Sequence, residues 1–411
     1  MTATPAAPPA PATAPPDGRF SFALAVVALV TGGFAIGTTE FVTMGLLPQI
    51  ASGLSISIPE AGHLISAYAL GVVVGAPTLA VIGAKLPRRG LLMGLIGAFA
   101  FFNLLTALVD DYAVVALVRF LDGVPHGAFF GLAVLTASDM VAPHRRGRAI
   151  ALVMMGIPVA NVAGVPLATL LGQQLGWRAA YVAVGLIALL SLVLIRFFVP
   201  ATAGNSEATG RRELAALARP QVWYAVIASG IGFGGMFALI SYIAPMTTEV
   251  GGLRESAVAG FLLVLGISMV VGNAVAGRLV DWSVQRTLVL GSVGLTGSLL
   301  LHALLAPTGW FALVSTFGAA VFGSMLALGF QVRLIDAAED ARTLGAALSH
   351  ASLNIGNSLG AWLGGLTIAA GYGFLSPLYV GAALSVVGLA VIAVAHRASL
   401  DRPVRSEAST S

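Results

Sequence analysis

Twelve apolar runs of roughly 20 residues each, the length that matches the hydrocarbon thickness of a bilayer when helical, divide this chain. They are centred near residues 34, 71, 99, 127, 160, 187, 233, 267, 297, 323, 356 and 387. Within lipid a backbone must satisfy its own hydrogen bonds, so such runs are expected to form helices. Composition agrees. The 411 residues are 58% hydrophobic and 9% charged, against about 25% charged in a soluble domain, which is too little polar surface to face water. The expected fold is all-α and integral to a membrane, with twelve transmembrane helices. Cysteine is absent, which excludes disulfides and thiolate metal sites; no metal site and no cofactor are expected.

The basic residues test this count. If both termini face the cytoplasm, that side should collect Arg and Lys. It collects Arg19; Lys85, Arg88 and Arg89; Arg145, Arg146 and Arg148; Arg196, Arg211, Arg212 and Arg219; Arg278 and Arg286; Arg333 and Arg342; and Arg397, Arg402 and Arg405, 18 of the 21. The opposite loops hold Arg178 and Arg254, and Arg119 lies inside span 4. The net charge of +4 forms no stripe, so nucleic acid is not an expected partner. Residues 1–18 read as a disordered Pro/Ala-rich leader, lacking the positive start of a secretory signal. Two six-span halves, 19–199 and 222–397, flank a polar cytoplasmic linker at 200–221, and 398–411 form a cytoplasmic tail.

The halves are copies. A shift of 197 residues aligns Gly37 with Gly234, Pro48 with Pro245, Gly75 with Gly272 and Asp139 with Asp336. After a one-residue gap Asn161 meets Asn357 and Gly164 meets Gly360. Ladders of small residues repeat too: Gly71 and Gly75, Ser268 and Gly272, Ala160, Gly164 and Ala168, and Gly356, Gly360 and Gly364. Small residues four apart let helices approach closely in lipid. They read either as ordinary packing or, as the repetition favours, as a sliding contact made by spans 2, 5, 8 and 11. Two related six-span halves are a transporter plan.

No nucleotide machinery is visible. The only lysine, Lys85, stands between Ala84 and Leu86 and cannot belong to a phosphate-binding loop, and no HExxH occurs. Uphill transport would then draw on an ion gradient, which directs attention to ionisable groups within the spans. These are Glu40 in span 1 and Arg119, Asp122 and His126 in span 4, the last three on one helical face. Counting from the span ends places Glu40 and Arg119 at comparable depth, facing one cavity. Glu40 reads as a proton-coupling carboxylate rather than an interfacial one, because its stem is short and Gln49 lies farther out. Arg119 with Asp122 reads as a tuning or relay pair, or as a structural pair neutralising itself. His126 is a third candidate in the set. At the shifted positions the second half has Phe237, Thr316, Ala319 and Gly323, so the charge set belongs to the first half. The second half is expected to offer an apolar wall of Phe233, Phe237, Ser241 and Tyr242, with the paired Asn161 and Asn357 in the same cavity.

The stretches GTTEFVTMGLLPQIA, HLISAYALGVVVGAP, RFLDGVPHGAFFG and NVAGVPLATLLGQQLGWRAAY resemble the major facilitator superfamily, in particular its twelve-span drug:proton antiporters and the chloramphenicol-resistance and arabinose (sugar) efflux proteins. The resemblance covers nearly the whole chain past the leader. It implies two pseudo-symmetric six-helix bundles, spans 1, 4, 7 and 10 around a central cavity, and alternating access in a bacterial inner membrane. It also implies a cytoplasmic charge latch. The family motif after span 2 appears as AVIGAKLPRR, keeping Lys85, Arg88 and Arg89 but with Ala84 in place of the acid; after span 8, GRLVDWSVQR keeps Asp281 and Arg286. The latch acid of the first half must therefore come from elsewhere. Arg119 matches the span-4 arginine that the family associates with proton transfer. The antiporter motif of span 5 is broken at Gly164-Val165-Pro166-Leu167-Ala168. The expected function is proton-coupled export of small, largely apolar, chloramphenicol-like compounds by a monomer, giving antibiotic resistance. Sugar or metabolite efflux is the alternative, and a non-transporting sensor or membrane enzyme a more distant one.

Overall fold

The computed structural model describes residues 22–83, 86–201, 218–338 and 342–400. Its regular structure is helical. Twelve long helices run in order: α1 (Phe22–Gly45), α2 (Ile58–Gly83), α3 (Arg88–Thr106), α4 (Tyr112–Asp139), α5 (Arg146–Leu175), α6 (Trp177–Phe198), α7 (Pro220–Ser241), α8 (Ser256–Trp282), α9 (Val284–Leu305), α10 (Ala312–Ala338), α11 (Arg342–Thr367) and α12 (Ser376–Leu400). By length and apolarity ten stretches qualify as membrane-crossing, one of them a 55-residue stretch that turns back at Gly309 (φ 67°) and so holds both α9 and α10. Only α11 falls short, because Ser349, Ser352, Asn354 and Asn357 lie along it, all buried.

Local chemistry sets the boundaries. Asp111 accepts from the Val114 amide at 2.9 Å and caps α4, satisfying one donor the first turn leaves open. Between α5 and α6 the chain reverses at Gly176 (φ 89°), a conformation that side chains with a Cβ resist. In α5 a π-helical turn at Ala160–Gly164 precedes Pro166, whose ring cannot join the helical hydrogen-bond ladder.

Packing separates the halves. One apolar cluster joins α1, α3, α4 and α6 through Leu29, Ile36, Phe99, Phe129 and Val184. A second joins the helices of the second half through Phe233, Leu265, Leu295 and Phe330, and it also takes in Phe41, Met44, Leu47 and Ala51 from the far end of α1 and the short helix after it. Across the halves α2 packs on α11 and α5 on α8; Ser66 of α2 donates to the Ser358 carbonyl at 3.1 Å.

Spans 2, 5, 8 and 11 do meet across the halves, as expected, but the small-residue ladders on them face inward, within each half. Gly71 and Gly75 abut the Phe120 and Val124 carbonyls of α4, Gly272 abuts α10, Gly164 abuts α1, and Gly356 and Gly360 abut α7. Each ladder thus locks helices within its own half. Backbones in such close contact interlock, which suits a permanent seam better than a surface that slides.

One face of α1 shows how the halves are disposed. Phe41 stacks on Phe237 of α7, ring centroids 6.2 Å apart. Seven and fourteen residues earlier on that face come Phe34 and Val27, which with Val26, Val30 and Thr31 line a groove of about 280 Å³. The same face is covered by the second half at one end and uncovered at the other. The covered end is arginine-poor; the open one is arginine-rich. At the closed end Gln49 donates to the Glu255 carboxylate at 3.0 Å, and Gln173 to the Glu255 carbonyl at 2.8 Å.

Candidate functional site

Arg119 is the largest fully buried side chain among the described residues, and a charge in that position requires compensation. One turn along α4, Asp122 supplies it: Arg119 Nη1 donates to Asp122 Oδ2 at 2.5 Å, with 1% and 0% of the two side chains exposed. The other Asp122 oxygen accepts from Asn103 Nδ2 of α3 at 2.7 Å. Asn103 also donates to the Phe99 carbonyl at 2.9 Å and accepts from Thr39 Oγ1 of α1 at 2.5 Å. Arg119 Nη2 points to Thr43 Oγ1 at 3.4 Å, and that hydroxyl lies 2.8 Å from the Tyr181 hydroxyl of α6. The guanidinium sits over the Tyr68 ring of α2 at 4.4 Å and near the Tyr181 ring at 5.4 Å, a cation–π arrangement. Five helices of the first half converge on this one ion pair.

Glu40 follows Thr39 on α1. It is buried, and among the described residues it has no hydrogen bond or ion pair; the charge acting on it is that of Arg119. His126, also buried, has Nδ1 2.9 Å from the Tyr68 hydroxyl. Its ring lies 5.5 Å from Phe130, which stacks at 6.3 Å on His350 of α11. The four ionisable residues singled out from sequence thus occupy one region. Thr39, Thr43, Tyr68, Asn103 and Tyr181, which connect them, went unselected. Asn103 could have been noticed, being the only amide in α3.

The wall proposed for the second half divides in two. Phe237 stacks on Phe41, beside Glu40, and Phe233 packs edge-on against Phe237 at 5.4 Å. Ser241 and Tyr242 are wholly buried at the closed end, and Phe233 and Phe237 are buried as well, so none of the four faces an open cavity in this conformation. The Tyr242 hydroxyl donates to the Ala361 carbonyl at 2.5 Å and lies close to Gly365 and to Gly62 of α2, while its ring packs against Gly364. Tyr242 is a seal here, not a cavity wall. Asn161 lies at the α5–α8 seam, its amide 3.5 Å from Met269 Sδ, and neither polar atom of the Asn357 side chain has a partner.

At the arginine-rich end Arg88 pairs with Asp139 of α4, which supplies the acid that Ala84 does not. Arg89 Nη1 lies 3.5 Å from the Val199 carbonyl. Lys85 falls outside the described residues. In the second half Gln285, at the position matching Arg88, accepts from Arg333 at 3.1 Å. Arg286 lies over the Trp282 ring at 4.4 Å, and Asp281 is exposed. Among the described residues no ion pair joins the halves at this end. In this conformation the expected latch has its parts but no closure.

Comparison with known proteins agrees with this architecture. Residues 29–332 match the family model described as Major Facilitator Superfamily. The inner membrane transport protein YdhP of Escherichia coli strain K12 is 38% identical over 371 residues, spanning 90% of this chain and 94% of that one. A chloramphenicol resistance protein of Streptomyces lividans is 35% identical over 366 residues, spanning 87% and 92%. Among solved structures, a bacterial homolog of the human lysosomal transporter Spinster, in an inward-facing and unoccupied conformation, superposes with a TM-score of 0.73 at 16% identity over 94% of this chain and 99% of that one.

Proposed function

The chain belongs to the Major Facilitator Superfamily, and on that footing we propose that it is a proton-coupled exporter of small, largely apolar compounds, with chloramphenicol-like molecules as the substrate class. The observation that carries this reading is Glu40, a buried carboxylate without a hydrogen-bonding partner, one residue from the Phe41–Phe237 contact between the halves. A carboxylate in such surroundings is costly unless its charge has a use. Taking or losing a proton there changes the charge beside the contact that must break when the closed end opens. That is the differential effect on two conformations which coupling requires.

On this reading the open end faces the cytoplasm of a bacterial inner membrane, which the excess of arginine at that end supports. Solute enters from that side along the groove that Phe34 lines and reaches Phe233 and Phe237, buried in this conformation, as the halves part. After the halves rock, solute leaves outward and Glu40 takes a proton. The proton is released inward as the arginine-rich end reopens, with Arg119 and Asp122 holding the fixed charges around it. The relative from Streptomyces lividans supports the substrate class by its name, and the aromatic wall supports it chemically.

The test uses purified protein in liposomes with an imposed pH gradient and a pH dye inside. Chloramphenicol, arabinose and a set of lipophilic cations are added in turn. Proton movement with chloramphenicol and not with arabinose is the expected result. Movement with arabinose alone would replace the substrate class with sugars, and none with any solute would contradict the reading.

A further inference from the structure

The site holds two carboxylates, and their surroundings are opposite. Asp122 accepts from Arg119 at one oxygen and from Asn103 at the other. Glu40 accepts from nothing among the described residues. Asn103 stands between them. Its two amide hydrogens go to Phe99 O and Asp122 Oδ1, and its oxygen takes the Thr39 hydroxyl, one residue before Glu40. These bonds fix the amide's direction: were it flipped, an oxygen would face the Asp122 carboxylate and the Phe99 carbonyl, with no hydrogen for either.

We propose that Asn103 is a positioning residue that divides labour between the two carboxylates, keeping Asp122 as the permanent counter-ion of Arg119 and leaving Glu40 as the group that exchanges protons. A buried carboxylate with a bidentate share of donors, one of them charged, is stabilised in its ionised form. The bond from Thr39 to Asn103 ties α1 to α3, which sets the register that leaves the next side chain unbonded. This assignment rests on the proton-coupled reading above. It names one carrier where the sequence offers two.

The charged and titratable groups around Asp122 are Arg119 and His126 on its own helix, Glu40 on α1, Tyr68 on α2 and Tyr181 on α6; from α3 the facing group is the uncharged Asn103, Glu40 itself faces Arg119 and Tyr68, and His350 of α11 faces His126. Of these Asn103 alone bonds both Asp122 and the residue beside Glu40. A hydrogen bond to a charged group is worth enough that its loss changes proton affinity by about ten-fold or more.

The chain's lack of cysteine makes the test direct. Ala51, buried at the closed end, is replaced by cysteine as a reporter. Its labelling rate with a water-soluble maleimide, divided at each pH by the rate of a free thiol because only the thiolate reacts, is followed against pH in nanodiscs, without any solute. Glu40→Gln should flatten the pH dependence. Asn103→Leu should move the midpoint by about one pH unit, and Glu40→Gln with Asn103→Leu should regain a transition, now carried by Asp122, which adding Asp122→Asn removes. Thr39→Val, which nearly conserves volume and leaves Asp122 its bond, should move the midpoint less than Asn103→Leu; it keeps the test open if the leucine variant misfolds. A double variant as flat as Glu40→Gln alone, with an unmoved Asn103→Leu midpoint, overturns the division of labour. A parent protein whose labelling ignores pH overturns the proton-coupled reading itself.

Discussion

The two halves share a helical plan and differ in what they bury. At the position of Arg119 the second half has Thr316, and in place of Asp122 it has Ala319; Glu40 becomes Phe237, Asn103 becomes Leu300, Tyr68 becomes Leu265 and Thr39 becomes Met236. Each member of the polar cluster is answered by a smaller or apolar residue. The nearest polar group in the second half is modest: Thr316 bonds back to the Ala312 carbonyl at 3.0 Å, and His302 meets Ser315 at 3.0 Å. A duplicated fold has kept its packing ladders in both copies and its charge chemistry in one. Helix packing in lipid needs small residues wherever backbones meet, whereas one titrating site is enough to bias a two-state motion.

Several changes would break or sharpen that contrast. The largest effect is expected from separating the buried pair. Arg119→Thr or Asp122→Ala alone leaves a charge without its partner, costing roughly 3–5 kcal/mol. The double change installs the residues of the second half and should recover most of the loss. Thermal unfolding of the purified variants decides this; a double variant as unstable as the two singles combined would show that the pair is not an interacting unit. Next comes the ladder. Gly71→Leu drives a side chain into the Phe120 carbonyl and should cost about 1–3 kcal/mol, while Gly94→Leu on α3, with nothing within 4 Å of its added Cβ, should leave the unfolding midpoint in place. Smaller still, Phe41→Leu keeps a buried apolar side chain and removes the ring stack across the halves, worth about 0.5–1.5 kcal/mol; faster maleimide labelling of a cysteine at position 51 would report the loosened end. At the bottom, Arg178→Gln breaks the pair with Asp110, whose side chain is 86% exposed, and no change in unfolding is expected.

The span pattern was legible because length and apolarity suffice to mark a membrane helix, and the arginines then order the loops. Even α11, with its buried serines and asparagines, was counted as a span. The direction in which the ladders face was not legible. Periodicity shows that Gly71 and Gly75 share a side of α2, but not that α4 rather than α11 occupies it. The ionisable members of the site stood out because such residues are rare in lipid. Their uncharged companions did not, since Thr31 and Thr38 bond the Val27 and Phe34 carbonyls of their own helix, and nothing in the sequence sets Thr39 and Thr43 apart from them. Only convergence in space distinguishes a threonine that satisfies itself from one that holds a neighbour. Tyr242 shows the opposite error. Its place near the predicted aromatic wall implied contact with solute, and its packing against three glycines makes it part of the seal.

The central claim is that Glu40 carries the coupling proton. The direct measurement compares Glu40→Gln with the parent protein in proteoliposomes preloaded with labelled chloramphenicol. Exchange against unlabelled solute is followed without a gradient, and net movement is followed with a pH gradient imposed. The account predicts that the variant retains exchange and loses movement driven by the gradient. Gradient-driven transport at the parent rate in the variant would contradict it.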